Sequence, residues 1–243
     1  MFTNYIMPAP LQARSLATSS WELVVPSIKL ALKNYEQIAI LFFLPSLFII
    51  LGTFYFGDPF IHNNKLIFDV HLNSRQEIGV VLIAVWFILS IFNDAPSIYF
   101  RLKVAESNAV PSLTECYRNG IKLFVRVWLS QIITWVFIAI GLILFIVPGV
   151  ILFRRYILSP YYAAKYPRLH LAQVFRKSAG QSRAFAAYVY STFGVIILIN
   201  LALSVIFGSF AFGEIVYYIL TYGILFLPAL RFVEIVKASS KAT

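Results

Sequence analysis

Charged side chains set inside apolar runs are the first place to look for chemistry, because each costs at least about 2.5 kcal/mol to insert into a bilayer. Asp94 is the one acid in the stretch 78–100, with Asn93 beside it, and Arg154 and Arg155 are the two bases in the apolar stretch 150–164. Counted along helices at 1.5 Å per residue, Asp94 stands about 10 Å above Arg101, and Arg154 about 15 Å from Lys165. A guanidinium stem can cover the remaining mismatch of about 5 Å. The spacing therefore predicts an Asp94–Arg154 or Asp94–Arg155 ion pair assisted by Asn93. Such a group would act either as a structural clamp or as a polar site for a lipid headgroup, an ion or a proton. No Ser/His/Asp order, catalytic carboxylate pair, phosphate-cradling glycine loop or redox cysteine pair stands elsewhere in the sequence. Cys116 is the single cysteine, so it offers neither a disulfide within the chain nor a cysteine metal site. His62 and His71, nine residues apart with Asp69 between them, do not have a metal-ligand spacing. The expectation is a protein without enzymatic activity, metal or cofactor.

The elements that must hold these residues follow from composition. Apolar residues make up 60% of the 243 and charged residues 12%, against about 45–50% and about 25% in soluble proteins. That excess of apolar surface needs lipid. The spans between charges are long enough: 21 residues over 37–57, 23 over 78–100 with Asp94 inside, 27 over 127–153, 30 over 184–213 and 16 over 215–230. A hydrocarbon core needs about 20 helical residues. The sequence predicts an all-α polytopic membrane protein of six helices, about 37–56, 78–100, 126–147, 150–164, 185–208 and 214–235. The fourth is short, reaching about 22 Å at 1.5 Å per residue. The first twenty residues hold one base, Arg14, and no apolar core run, so insertion is expected to rely on the spans. With the N-terminus inside, the segments 1–36, 101–126, 165–183 and the tail from 231 carry sixteen Lys and Arg, and the outer side carries two, Lys65 and Arg75. That bias puts both termini in the cytoplasm and the chain in the inner, or plasma, membrane. At so low a charged fraction, the excess of bases suits anionic headgroups rather than nucleic acid.

The chain also repeats. Ser19-x-x-Glu22, Ile28-Lys29-Leu30 and Lys33 recur 93 residues on as Ser112-x-x-Glu115, Ile121-Lys122-Leu123 and Arg126. A fainter third copy starts at His170 and runs through Gln173, Phe175, Arg176 and Arg183. Ser-x-x-Glu is a capping box, in which hydroxyl and carboxylate each satisfy one orphaned backbone N–H. The segments that follow are basic on one side and apolar on the other, which suits the headgroup boundary. The single domain 1–243 thus reads as three units, about 19–100, 112–164 and 170–235, each an interfacial amphipathic helix followed by a transmembrane hairpin. Lys29, Lys33, Arg118, Lys122, Arg126, Arg176, Lys177 and Arg183 are the expected headgroup-binding residues. Pro148-Gly149 is the expected turn of the second hairpin. Tyr161, Tyr162 and Tyr166 are expected in an inner aromatic belt, with Phe54-Tyr55-Phe56 at the outer one. Ser178, Ser182 and Ala186, four apart, are expected to let helices approach closely. Residues Lys65–Leu72 alternate loosely enough to suggest an outer hairpin.

The run Gly141 to Val147, then Pro148-Gly149-Val150-Ile151-Leu152-Phe153-Arg154 and Leu158-Ser159-Pro160-Tyr161, resembles the motif of a six-helix bacterial membrane family. That family includes the membrane domain fused to some glycerophosphodiester phosphodiesterases and related stand-alone proteins. Leu171-Ala172 to Lys177-Ser178 is similar to its amphipathic segment. The likeness covers about 141–183, and the sequence departs from the pattern in doubling Arg154-Arg155 and in having no phosphodiesterase domain among its 243 residues. The resemblance implies a fold and carries no activity.

Two functional readings follow. One is a non-enzymatic protein whose basic interfacial helices grip the inner leaflet, organising lipid, a protein partner or a second copy. The alternative is a small transporter or channel using Asp94, Arg154 and Arg155; a lipid-handling enzyme ranks third.

Overall fold

A computed structural model describes residues 19–56, 74–107, 110–207, 217 and 220–240. Among them the chain is helical with no strand. In order come α1 (Val24–Lys33), α2 (Tyr35–Ile38), a π-helical turn (Ala39–Phe43), α3 (Leu44–Phe56), α4 (Ser74–Ser107), α5 (Leu113–Leu144), α6 (Ile146–Tyr156), α7 (Ser159–Lys165), α8 (Leu171–Ala184), α9 (Ala186–Phe207) and α10 (Leu227–Ser240). Among the described residues three helices are long and apolar enough to cross a membrane: Glu77–Ser107, Leu113–Leu144 and Ala186–Phe207. A fourth crossing would join Tyr35–Phe42 to Pro45–Gly52, which bend by 47° where they meet. The cause lies in the sequence, since Pro45 has no N–H for the ladder and the preceding turn widens to a π-helix.

Besides this bent one, two more of the six expected helices are not continuous. The stretch 150–164 breaks after Tyr156, and α7 begins at Ser159 with Pro160 in its first turn. Pro160 lacks a donor, and its ring would press on the carbonyl four residues back, so the helix stops before it. The Tyr156 carbonyl instead faces Thr134 Oγ1 at 3.3 Å, and that hydroxyl also meets Ser159 Oγ at 2.7 Å. In the same way 214–235 is interrupted by a turn over Gly223–Phe226, and α10 starts at Leu227 with Pro228 second. The second interfacial helix is not separate either, because α5 runs unbroken from Leu113 through its apolar length.

The three capped segments nevertheless fold to one plan. The Ser19 N–H donates to Glu22 at 2.9 Å and the Glu22 N–H to Ser19 Oγ at 3.3 Å. The Glu115 N–H donates to Ser112 Oγ at 3.1 Å, and the His170 N–H to Gln173 Oε1 at 3.1 Å. The fourth residue after each cap is buried (Leu23, Cys116, Val174), as is the eighth (Ser27, Gly120, Ser178) and the fifteenth (Asn34, Val127, Phe185). At that fifteenth position α1 and α8 both bend, with φ −115° and ψ 28° at Asn34 and φ −114° and ψ 32° at Phe185. Asn34 helps to break its helix by donating its side-chain amide to the Leu30 carbonyl at 2.6 Å. Val127 stays helical, inside the unbroken α5.

The main core gathers round α7, whose residues Ser159–Ala164 are all buried. Tyr162 meets Phe232 edge-on at 4.7 Å, and Tyr161 stacks on the same ring at 5.6 Å. These two tyrosines are therefore core residues and not an interfacial belt. Tyr166 is half-buried and lies under the Lys177 ammonium, 3.7 Å from the ring centre. Ser178 and Ser182 are both buried, as close packing requires.

The second hairpin turns at a single extended residue, Phe145 (φ −167°, ψ 150°), and Pro148-Gly149 sits inside the first turns of α6 instead. What Gly149 supplies is proximity. A Cβ there would lie 2.8 Å from the Leu142 nitrogen, and one on Gly141 would lie 2.8 Å from the Gly149 Cα. The tip points outward as bare hydrocarbon, from Ile143 at 83% exposed to Val147 at 68%.

Candidate functional site: interfacial bases and buried charges

The intramembrane polar residues do not form one group. Asn93 accepts a hydrogen bond from Tyr117 Oη at 2.7 Å, tying α4 to α5. A turn further on, Tyr99 Oη donates to Glu115 at 2.8 Å and accepts from Asn119 at 3.0 Å. Among the described residues Asp94 makes no ion pair with Arg154 or Arg155. The charge that acts on it is Arg101, seven residues along the same helix. Arg101 is held between the rings of Phe42 and Tyr161, 5.7 and 5.8 Å from their centres, and its Nε donates to the Ser97 carbonyl at 3.2 Å. The expected pair fails for a topological reason. The break after Tyr156 lays α7 against α4, while α6 lies on α5 and α8. Arg154 accordingly faces Tyr190 of α9, 5.8 Å from the ring centre, with its buried Nε unpartnered among the described residues. Arg155 is half-buried and contributes its carbonyl, which accepts from Ser178 Oγ at 2.7 Å.

The headgroup candidates divide by exposure. Lys29, Lys33, Arg118, Lys122, Arg176 and Arg183 are exposed. Lys177 is partly withdrawn against Tyr166, and Arg126 donates to the Pro167 carbonyl at 2.9 Å. Each exposed base sits on a helix whose opposite face is pinned to the protein by the small or apolar residues at the fourth and eighth positions after the cap. Pinning one face of the helix fixes where its cations project from the protein. Glu106 pairs with Lys165 and joins the C-terminal ends of α4 and α7. Lys65, His62, Asp69 and His71 lie outside the described residues, as does the Lys65–Leu72 stretch.

Compared with known protein families, curated proteins and solved structures, the chain matches none.

The residue that sequence reasoning missed is Arg231. Counted as a cytoplasmic base, it is only 1% exposed. Its guanidinium donates to Thr192 Oγ1 at 2.9 Å, to Ser20 Oγ at 3.0 Å and to Glu234 Oε2 at 2.6 Å, and it lies 5.3 Å from the Tyr188 ring centre. Ser20 in turn meets Ser191 Oγ at 2.6 Å and Thr192 Oγ1 at 3.1 Å. One side chain thus binds the segment before α1, the second turn of α9 and the next turn of α10. The available signal was an arginine with an acid three residues on inside the apolar run Leu225–Val236, a spacing that pairs on a helix face.

Proposed function

We propose that the protein is a non-enzymatic integral membrane protein of the inner membrane whose basic interfacial segments hold the anionic headgroups of the inner leaflet and so organise lipid or a partner complex. On this reading the chain crosses six times with both termini in the cytoplasm. The α6–α7 arm and the interrupted stretch 214–235 are broken crossings propped by their neighbours; six helices is also the number in the family that the motif at 141–183 resembles. The observation that carries the reading is the common burial plan of the three capped segments. Each fixes one face in the protein and leaves bases free: Lys29 and Lys33, Arg118 and Lys122, Arg176 and Arg183. Cations near an anionic surface contribute about 1 kcal/mol each, so six acting together would give a substantial grip.

The test is reconstitution into vesicles of phosphatidylethanolamine with or without phosphatidylglycerol. Neutralising Arg118, Lys122, Arg176 and Arg183 to Gln should sharply lower the enrichment of phosphatidylglycerol in the lipid shell retained by the purified protein, leaving the share that Lys29 and Lys33 hold. Unchanged enrichment overturns the reading.

A second reading, a transporter or channel, draws support from one observation: Asp94 has no ion-pair partner among the described residues. It predicts that Asp94→Asn abolishes flux across the same vesicles while the four Gln substitutions are tolerated.

A further inference from the structure

The three capped segments each meet the arm of another unit through the eighth residue after the cap, but the three seams are not equally tight. At the first, Gly120 comes so close to Pro96 of α4 that a Cβ would lie 2.6 Å from the proline Cα, N and Cγ. At the second, Ser178 Oγ donates to the Arg155 carbonyl at 2.7 Å, and Val174 and Phe185 on either side pack into the main core. At the third, Ser27 Oγ donates to the Gly223 carbonyl at 2.9 Å, which closes the ring from the last unit back to the first. Beside that last bond the seam stays open. Ile28, Leu32 and Tyr35 on one side and Leu220 and Tyr222 on the other line a groove of about 420 Å³.

We propose that this groove is a binding site for one acyl chain of an anionic phospholipid, whose phosphate is held by Lys29 and Lys33. The proposal rests on the lipid-binding reading above and gives it a place. The volume falls among those of small-molecule pockets, about 300–1,000 Å³. The walls offer hydrocarbon and almost no hydrogen-bonding atoms, which suits an alkyl chain and excludes a polar ligand. Charge complementarity supplies the other end. On α1 Lys29 and Lys33 stand beside the exposed stripe Val25, Ile28 and Leu32, with exposed Trp21 just before the helix and Tyr35 just past the bend at Asn34. A chain lying along that stripe brings its phosphate within reach of both ammonium groups. The corresponding stripe of the second unit includes Arg118, and that of the third includes Arg176 and Arg183, so the apolar trough is peculiar to the first.

The experiment uses the full chain in vesicles containing phosphatidylglycerol with a photoactivatable acyl chain, and crosslinked residues are mapped by mass spectrometry. Crosslinks should concentrate on Ile28, Leu32, Tyr35 and Leu220 over the lipid-facing α4 residues Val81, Phe87 and Phe92, and unlabelled phosphatidylglycerol should compete better than phosphatidylcholine. Leu32→Trp, at an exposed position that leaves the core intact, should block the groove and remove those crosslinks. Lys29→Gln and Lys33→Gln should each lower the preference for phosphatidylglycerol about five-fold and leave acyl crosslinking in place. Equal labelling of groove and α4, equal competition by both lipids, or a groove left unlabelled while α4 is labelled, as it would be if another protein chain or the chain's own N-terminal segment filled it, would each overturn the proposal. Loss of the groove signal together with an intact response of the shell to Arg118, Lys122, Arg176 and Arg183 would sink the site alone. The converse result would sink the general reading and leave the site standing.

Discussion

Replacing Arg231 by Met keeps most of the apolar stem and removes three donors from a buried place. Ser20 and Thr192 can still bond each other at 3.1 Å, so their loss is partial. Glu234 is the larger concern, because its side chain is 25% exposed and keeps only part of its water. Removing one member of a buried pair costs about 3–5 kcal/mol, and the residual hydration of Glu234 argues for the lower end, about 3 kcal/mol. Because the guanidinium ties the segment before α1 to α9, that loss should appear first as release of the N-terminal segment. A free-energy change of about 3 kcal/mol corresponds to a roughly 100-fold rise in its open population. Protease cleavage between Ser19 and Asn34, measured in mild detergent in the regime where opening is fast, should rise by that factor. Arg231→Met combined with Glu234→Gln should recover part of it, since no buried charge is then left unpaired. If Arg231→Met changes cleavage by less than about five-fold, under about 1 kcal/mol, the guanidinium is not what holds the segment, and the argument from its hydrogen bonds is wrong.

Other outcomes follow from the same contacts. Gly120→Ala forces a methyl into Pro96 and should destabilise the protein by about 1–3 kcal/mol, read as lower thermal stability in detergent, whereas Gly180→Ala, with open space around it, should not. Ser178→Ala leaves the Arg155 carbonyl without its hydroxyl donor and should cost about 1–3 kcal/mol by the same measurement. In a double-mutant cycle Asp94→Asn and Arg154→Met should add within about 0.5 kcal/mol, while Asp94→Asn and Arg101→Met should couple by more than that. With Cys116 replaced by Ser, a cysteine at exposed Arg168 should react with an impermeant thiol reagent only after the cells are opened; labelling of intact cells would reverse the orientation.

The long apolar helices were readable because a charge-free run of about 20 residues has few other fates. The caps were readable because Ser-x-x-Glu fixes its own local bonds whatever surrounds it. Pairing was harder. Asp94 and Arg154 lie at similar counted depths, but depth along a helix says nothing about which helix is the neighbour, and the break at Pro160 decided that. Tyr161 and Tyr162 carry the composition of an interfacial belt, yet α7 is enclosed on every side, which residue type cannot reveal. Arg231 shows the reverse case: a base at the edge of an apolar run reads as a loop cation, and only the arrival of Ser20 from the far end of the chain makes it a buried tie.

The prolines near the second arm of each unit show how one residue type can end differently in each setting. Pro96 stays inside α4, where Gly120 has given up its side chain to let α5 approach the ring. Pro160 and Pro228 each stand near the start of a new helix, with a turn before them. In both of those arms the carbonyl five residues before the proline, Arg155 or Gly223, accepts a serine hydroxyl from an interfacial helix of another unit. Breaking the helix releases a carbonyl, and the serine eight residues after the cap supplies the donor that a buried carbonyl requires. Proline and serine therefore belong to one device, in which the break in one unit makes the attachment point for the next. At the α4 seam the helix runs on through Pro96 and what Gly120 meets is the proline ring rather than a carbonyl, so the eighth position there needs closeness and not a hydroxyl, and glycine serves.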